Sequence, residues 1–283
     1  MKLVRFGPSG NGELFYNLGF KDSEQAPEWL RSLGLSAYEY SFSLGRFITK
    51  EKAEKIAQKA KENDIQLSVH APYYINFANN SEKSKESNVK YLTNSLVGAK
   101  NLGAITCVVH IGSQMKFSRQ EAFLNVEKSL KEFLDNHYTD ELQSVRIAPE
   151  TMGKFSYIGT VDEVLEIASW HKNIIPCFDM GHINCITQGA LKTKDDFKRI
   201  FDKCIDKLGF DKTNHCHIHF SKIKYGEKGE IAHLTFEDEV YGPNFQPFLE
   251  CIKEMKLNPV VISESKGTQA EDSKTMSEYY KNL

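Results

Sequence analysis

Eight short apolar stretches, rich in β-branched and aromatic residues, recur along the 283-residue chain and constrain its fold more than any other feature. Between them lie longer segments whose apolar residues recur every three or four positions, the spacing of one helix face. The short stretches therefore predict buried strands, and the longer segments predict helices. The predicted strands lie near Leu3–Phe6, Ala37–Tyr40, Leu67–His70, Cys107–His110, Val145–Glu150, Ile174–Asp179, Cys216–Phe220 and Val260–Glu264.

Two of the helical segments also carry a clear start signal. The patterns Ser118-x-x-Glu121 and Thr160-x-x-Glu163 are capping boxes, in which the first side chain and the last bond to each other's backbone N–H groups. They place the beginnings of two helices. A typical apolar stripe runs through Phe197, Ile200, Phe201, Cys204 and Leu208.

This alternation of strands and helices predicts a (β/α)8 TIM barrel that forms a single domain over residues 1–283. The hydrophobic fraction of 40% is sufficient for a large core. A doubly wound open sheet is the alternative architecture. It is disfavoured because no G-x-G-x-x-G motif follows the first predicted strand.

The composition of the chain limits the cellular compartments and the partners to be expected. No stretch reaches the roughly 18 apolar residues of a membrane span, and the start MKLVRFGPSG has no apolar signal core. The six cysteines are scattered without a C-x-x-C pair, which is typical of reduced packing residues. We therefore expect a cytoplasmic protein without a membrane partner. The net charge of −2 shows no basic excess, so contact with phosphate must be local or go through metal ions.

Six consecutive predicted strands, from the third to the eighth, carry a histidine, glutamate or aspartate, five of them at the strand end and the seventh at His217. The C-terminal strand ends of a barrel converge on one face, where active sites lie. Buried carboxylates without a counter-charge are costly, and no lysine or arginine stands at these strand ends. Imidazole together with carboxylate suits zinc, manganese or iron. The six residues are His70, His110, Glu150, Asp179, His217 and Glu264.

Two further histidines extend this set. His182 follows Asp179 through Gly181, which permits a sharp turn back towards the same cavity. His233 lies in the long segment KYGEKGEIAHLTF after the seventh strand, and long loops of this kind usually serve the active site. So many ligands exceed the needs of one ion. They predict a metal cluster in which a carboxylate such as Glu150 bridges two ions.

The stretches HAPYYIN, VVHIGS, PET, FDMGH, HIHFSK and SES occur in the same order in the endonuclease IV family, which this chain resembles over most of its length. That family of apurinic/apyrimidinic endonucleases belongs to the xylose isomerase-like TIM barrel superfamily. The resemblance implies a (β/α)8 barrel with three zinc ions that cuts the DNA backbone 5′ to abasic sites in base excision repair. The implied partner is double-stranded DNA with abasic sites, and we expect a monomer.

The resemblance also implies how the ligands are distributed among the three ions. His70 and His110 would bind the first zinc, with Glu150 bridging to the second. The third zinc would be held by His182 and His233. Glu150 and Glu264 would be the catalytic carboxylates. The second ion would be completed by Asp179, His217 and Glu264.

The chain departs from the family pattern in three places. Where the family has D-x-H, this chain reads GEIAH, so Ile231 occupies the aspartate position. We expect Glu230 to take its place, because Gly226 and Gly229 let the loop shift register. In addition, RFGPSGNG stands in place of a histidine-bearing HVS-type segment, and HIHFSKIKYG in place of an HLND-type run. The last difference affects the loops that would contact DNA.

Three residues are candidates for DNA binding. Tyr73 and Tyr74, just beyond His70, are suited to wedge into the gap left by a flipped abasic nucleotide. Packing of these rings against the barrel rim is the alternative interpretation. Arg46 is a candidate for a phosphate contact, and the alternative is an ordinary exposed arginine.

A sugar isomerase or epimerase on a related barrel is the second functional hypothesis. Its single manganese would be held by four ligands, and two glutamates would move a proton next to a carbonyl. This hypothesis fits the near-neutral charge but leaves His70 and His110 unexplained, so the nuclease is favoured. A non-catalytic barrel is a third hypothesis, and it predicts gaps among the strand-end ligands. The four manganese ligands would be Glu150, Asp179, His217 and Glu264.

Overall fold

The computed structural model describes residues 4–42 and 45–283, so Leu3, the first residue of the first predicted strand, lies outside the described residues. The described part contains ten strands: β1 (Arg5–Pro8), β2 (Ala37–Ser41), β3 (Gln66–His70), β4 (Thr106–Val109), β5 (Arg146–Pro149), β6 (Cys177–Asp179), β7 (His217–Phe220), β8 (Lys222–Gly226), β9 (Gly229–Leu234) and β10 (Val260–Ser263).

Eleven α-helices and one short 3₁₀ helix, Ser23–Gln25, lie between or after these strands in the described residues. The α-helices are α1 (Gly12–Asn17), α2 (Ala26–Ser32), α3 (Lys50–Glu62), α4 (Glu82–Asn101), α5 (Arg119–Asn136), α6 (Val161–Ser169), α7 (Met180–Ile186), α8 (Lys194–Leu208), α9 (Phe210–Asn214), α10 (Phe245–Glu254) and α11 (Gln269–Asn282). None of these helices combines the length and the apolar character that a membrane span requires.

Eight of the strands form a parallel barrel. One four-stranded sheet has the order β1-β10-β7-β6 and another has the order β2-β3-β4-β5. Parallel bridges join the two sheets at both seams, between Ser9 and Glu39 and between Glu150 and Cys177. At the first seam the Gly10 N–H donates to the Glu39 carbonyl oxygen over 2.9 Å. The predicted (β/α)8 fold is confirmed.

Local sequence explains where the regular elements begin. Both predicted capping boxes are present: the Ser118 and Thr160 N–H groups donate to the Glu121 and Glu163 carboxylates over 2.9 Å. They open α5 and α6. The sixth strand is shorter than predicted and begins only at Cys177. The residue before it, Pro176, has no N–H to donate to a ladder.

The side chains inside the barrel lie in layers. Because side chains alternate between the two faces of a strand, residues two positions apart point to the same side. Parallel pairing aligns Cys177 with His217, and Asp179 with His219. His217 therefore lies one layer beneath His219, next to Cys177. Cys177 also belongs to a separate buried cluster of small apolar side chains, with Val108, Ala148 and Ile175.

Strands β8 and β9 form an antiparallel hairpin outside the barrel, where the sequence suggested only a long loop. The two strands are joined by Glu227 and Lys228. The hairpin is fixed to the segment after β5, because the Glu230 N–H donates to the Gly153 carbonyl oxygen over 2.7 Å. Gly229 is packed so closely there that a Cβ would lie 2.3 Å from the same oxygen. The hairpin thus holds its residues above the C-terminal face of the barrel.

The close approach of β1 to β2 provides a test of barrel closure. A Cβ on Gly7 would lie 1.8 Å from the carbonyl oxygen of Ala37, so Gly7→Ala must push the two strands apart. We expect urea denaturation to show a loss of at least about 2 kcal/mol in the free energy of unfolding. The matched control is Gly226→Ala, whose nearest contact would be an ordinary 3.4 Å. Equal effects of the two substitutions would contradict this account of the seam.

Candidate metal centre

The carboxylate of Glu150 lies at the centre of the C-terminal face. It directly follows β5 and is 1% exposed. Its Oε2 lies 3.2 Å from His70 Nε2 and 3.0 Å from His110 Nε2, while its Oε1 lies 3.1 Å from His219 Nδ1. Burial raises the pKa of Glu150, but the neighbouring histidines outweigh it and hold the pKa well below the usual range. An ionised carboxylate therefore stands between two groups of imidazoles.

A second group of ligands lies on the other side of Glu150. Potential ligand atoms of Glu150, Asp179, His219 and Glu264 all lie within 4.8 Å of one another. Asp179 Oδ1 accepts the His182 backbone N–H at 2.8 Å, as the N-cap of α7. Its other oxygen, Oδ2, is buried without a hydrogen-bond partner in the described part of the chain. The nearest basic atom is His182 Nδ1 at 3.2 Å, which bonds to the Thr151 carbonyl oxygen instead. A buried oxygen without a hydrogen bond is what a bound cation would satisfy.

A third group combines one barrel residue with two hairpin residues. Glu230 Oε2 lies 3.4 Å from His182 Nε2, and its Oε1 lies 3.6 Å from His233 Nε2. The other ring nitrogens are occupied, since His182 Nδ1 bonds to the Thr151 carbonyl and His233 Nδ1 to Ser221 Oγ. Both Nε2 atoms are thereby aimed at Glu230.

Glu230 lies where it was expected, in place of the aspartate of the family pattern. Ile231 is 60% exposed, whereas the carboxylate of Glu230 is turned inward. The hydrogen bond from His182 lowers the pKa of Glu230 to about 2. The structure therefore brings Glu230 together with His182 and His233, and their role as metal ligands stays a prediction.

Three groups of candidate ligands fit divalent ions by chemistry and by spacing. The first is His70, His110 and Glu150, the second is Glu150, Asp179, His219 and Glu264, and the third is His182, Glu230 and His233. Donor atoms around a tetrahedral zinc with bonds of 2.0–2.1 Å are about 3.3 Å apart. The contacts across the three groups range from 3.0 Å (His110 to Glu150) to 3.6 Å (His233 to Glu230). Nitrogen and carboxylate oxygen donors suit zinc, manganese and iron. The chain therefore has buried clusters that can hold metal ions.

One predicted ligand is placed elsewhere. His217 lies one layer below the strand-end ligands, and its Nε2 is 2.9 Å from Glu39 Oε2. The residue that meets the second group is His219, which is paired in register with Asp179. The prediction of His217 as a ligand of this group is corrected to His219. The motif HIHFSK has two inward-facing histidines, and only the second reaches the layer of Asp179.

Glu39 was not anticipated as part of the site. It is fully buried in β2 and contacts both histidines of β7. The available signal was a carboxylate in the middle of the apolar run AYEY, whose flanking tyrosines both contribute to the core packing. Examination of strand ends alone could not reveal it.

A cavity of about 380 Å³ opens above the ligands. Tyr73 lines it, and the rings of Tyr73 and Tyr74 lie 4.4 Å apart, with exposures of 54% and 45%. Arg46 is exposed in the segment between β2 and α3 and is not one of the cavity-lining residues. The predicted ligands that line the cavity are His70, His110, Glu150, His182, Glu230, His233 and Glu264.

A lysine that sequence reasoning missed also lines this cavity. Lys154 lies in the segment between β5 and α6. Arg119 fixes this segment by donating to the Phe155 and Tyr157 carbonyl oxygens over 2.9 Å and 3.0 Å. The backbone around Lys154 is therefore held in place at the rim, and its ammonium group is available to an anionic substrate.

The model of a protein family described as "Xylose isomerase-like TIM barrel" matches residues 27–283. The chain belongs to this family. The xylose isomerase-like TIM barrel family is an enzyme superfamily, and this chain carries its predicted metal ligands at the C-terminal face of the barrel. The resemblance of the chain to endonuclease IV is likewise supported by its relatives.

Two curated proteins are similar to this chain in sequence. An uncharacterized protein of Methanocaldococcus jannaschii is 31% identical over 245 residues, with 87% of each chain covered. A Staphylococcus carnosus protein named "Probable endonuclease 4" is 28% identical over 211 residues, which cover 70% of this chain and 68% of that protein.

Solved structures share the fold of this chain. A D-tagatose 3-epimerase-like protein superposes with a TM-score of 0.73 and 22% identity, covering 99% of this chain and 97% of the other. Endonuclease IV of Thermus thermophilus superposes with a TM-score of 0.71 and 16% identity, covering 99% and 100%. Nuclease and epimerase barrels are thus similarly close in shape, and the site residues must discriminate between them.

Metal stoichiometry tests the three groups. We expect protein stripped with chelator to take up two or three zinc ions per chain in a titration followed by elemental analysis. Glu230→Gln should lower the stoichiometry by one, because the third group loses its only carboxylate. The control is Glu227→Gln, an exposed glutamate of the same hairpin. A parent protein that binds a single ion, or a Glu230→Gln variant with the parent stoichiometry, would refute the assignment.

Proposed function

We propose that the chain is a zinc-dependent apurinic/apyrimidinic endonuclease that hydrolyses the DNA phosphodiester bond 5′ to abasic sites. The observation that carries this proposal is the convergence of His70 and His110 on Oε2 of Glu150, at 3.2 Å and 3.0 Å. A single-ion site formed by Glu150, Asp179, His219 and Glu264 has no need of these two histidines. Their presence favours a second ion bridged to the first by Glu150.

Sequence relatives support the same conclusion. The protein named "Probable endonuclease 4" matches more than two thirds of the chain. The ordered motifs HAPYYIN, VVHIGS, PET, FDMGH and SES all place residues on the C-terminal face of the barrel. The proposal therefore rests on sequence similarity and on the extra histidines, rather than on the fold, which epimerases share.

In this proposal the chain's own residues divide the work. Bound zinc would supply a Lewis acid that polarises the phosphoryl oxygens. Glu150 is 1% exposed and lies between the histidine groups, so its part would be to hold ions together. Glu264 lines the cavity and can accept a proton from an attacking water at its carboxylate. The third group, with Glu230, would hold an ion close to the same cavity.

The cavity rim provides the contacts that duplex DNA would need. Tyr73 and Tyr74 project from the segment after β3 and can stack where an abasic nucleotide leaves a gap. Lys154 can meet a phosphate next to the cavity. Arg46, which is exposed and does not line the cavity, can contact the DNA backbone. Such local contacts suffice for a chain whose net charge is −2.

A sugar epimerase is the second candidate, and one observation favours it. The group Glu150, Asp179, His219 and Glu264 is complete as a site for one ion, without any residue from the hairpin. A cavity of about 380 Å³ is also of the size that holds a small ligand. With His219 replacing His217, this candidate keeps its four ligands. It still assigns no role to His70, His110, or the third group.

Cleavage assays with carboxylate variants distinguish the two functions. We expect Glu150→Gln and Glu264→Gln to lower the rate of nicking of an abasic-site duplex by at least about 10³-fold, because each removes a charge that the site requires. Exposed Glu237→Gln is the matched control, and thermal unfolding verifies the fold of each variant. Parent nicking rates in both variants would reject the bridged cluster. Conversion of ketohexoses by a parent protein that does not nick DNA would favour the epimerase.

Substitution of the rim tyrosines tests the substrate class. We expect Tyr73→Ala and Tyr74→Ala to raise the KM for an abasic duplex about 5- to 150-fold, the effect of losing about 1–3 kcal/mol of stacking. Hydrolysis of bis(p-nitrophenyl) phosphate should change little, because this small diester does not reach across the rim. Unchanged duplex KM values in both variants would remove the tyrosines from the DNA-binding surface.

A further inference from the structure

A buried carboxylate, Glu39, lies beneath the metal-binding face with no lysine or arginine of the described residues bonded to it. It sits in the middle of β2 and is fully buried. Its Oε2 accepts hydrogen bonds from Ser68 Oγ at 2.8 Å and His217 Nε2 at 2.9 Å. Taking a carboxylate out of water is costly unless its neighbours compensate. The burial of an ionisable group at position 39 therefore calls for an explanation beyond the packing of the core.

The remaining oxygen of Glu39 faces a proposed metal ligand. Oε1 lies 2.9 Å from His219 Nε2. The two atoms are offset from the line of a hydrogen bond, and neither has another partner among residues 4–42 and 45–283. Each is consequently the available partner of the other.

The ring of His219 spans two layers of the barrel. Its Nε2 faces Glu39 below, while its Nδ1 lies 3.1 Å from Glu150 Oε1 and 3.5 Å from Glu264 Oε1 above. A neutral imidazole has one N–H and one lone pair. An acceptor at Nε2 keeps the proton there and leaves the lone pair of Nδ1 directed towards the ligand group. Metal-binding histidines are commonly oriented by a carboxylate in this way.

Ligand atoms of Glu39, His217 and His219 lie close enough together to hold a metal ion, but these residues are too deeply buried for an ion to reach them. All three side chains are no more than 1% exposed, and the cavity is lined by other residues. Two donors already occupy Oε2 of Glu39. An ion at this depth would have no visible path of entry, which a metal site requires.

We propose that Glu39 is a positioning residue for the metal group of Glu150, Asp179, His219 and Glu264. It holds His219 with its proton on Nε2 and its Nδ1 lone pair aimed at the ion. Ser68 and His217 hold Glu39 in turn. This inference rests on the metal group and is independent of the reaction, since a nuclease and an epimerase would both use it.

Zinc affinity provides the first test. Chelator-stripped Glu39→Gln should bind zinc at one site about 10- to 100-fold more weakly than the parent, as measured by competition with a chromophoric chelator. The other sites should keep their affinities. The matched control is Asp272→Asn, which alters a buried carboxylate of α11 that bonds to Phe236 N–H and Thr268 instead. Parent affinities at every site of Glu39→Gln would overturn the proposal.

The protonation pattern of the histidines provides a second test, which a purely structural role would not affect. His219 faces its ligand group through Nδ1, whereas His70 and His110 face Glu150 through Nε2, and His182 and His233 face Glu230 through Nε2. The Nδ1 of His182 is bonded to the Thr151 carbonyl oxygen. Nitrogen-15 NMR of the zinc-loaded parent should therefore show one metal-bound histidine that retains an exchange-protected Nε2–H. In Glu39→Gln this proton resonance should shift or become exchange-labile. A resonance unchanged by the substitution would contradict the proposal.

A milder variant covers the case in which Glu39→Gln fails to fold. Ser68→Ala removes one hydrogen bond to Glu39 and leaves its charge in place. We expect a loss of zinc affinity of several-fold at the same site, with a shifted Nε2–H resonance. Unchanged values for both would reject the role of Glu39. None of these measurements involves DNA cleavage, so a protein that binds zinc as expected but does not cut abasic DNA refutes the endonuclease alone.

Discussion

The register of the parallel strands determines which side chains can meet in this barrel. Asp179 pairs with His219, so these two candidate ligands lie side by side on neighbouring strands, whereas Glu264 follows two residues after Ile262, the partner of His219. Side-chain alternation then directs every second residue inward. A shift of a single residue in one strand would replace an inward ligand by an outward apolar residue. The ladder hydrogen bonds therefore fix the metal-binding face as well as the fold.

The second constraint is the balance of charge around two buried carboxylates, Glu150 among the strand-end residues and Glu39 in the layer beneath. Glu150 is surrounded by His70, His110 and His219, and Glu39 by two histidines and a serine. His219 belongs to both sets. Each buried carboxylate thus has imidazole neighbours that favour its ionised form. Because His219 is shared, the two carboxylates depend on each other through one ring.

Much of the face could be predicted from the sequence, because a residue at the end of an apolar run has a defined place in a barrel. His70, His110, Glu150, Asp179 and Glu264 were all found in this way, and the structure brings them together. The choice between His217 and His219 could not be made from the motif, since both histidines point inward and only strand pairing sets their depth. Glu39 was missed because its partners lie 29 to 180 residues away in the chain. The hairpin of β8 and β9 was missed because its strands pair outside the barrel.

The hairpin gives the third group a different thermodynamic character from the other two. Glu230 and His233 belong to β9, a strand whose residues are mostly half-exposed and which is linked to the segment after β5 through Gly153 and Lys154. Segments of this kind open with much lower free energies than the body of a domain, and do so independently of global unfolding. An ion held there would be gained and lost with local opening of the hairpin, while the barrel and its central carboxylate stay intact. The groups around Glu150 therefore belong to the stable barrel, whereas the third group depends on a strand that opens more easily.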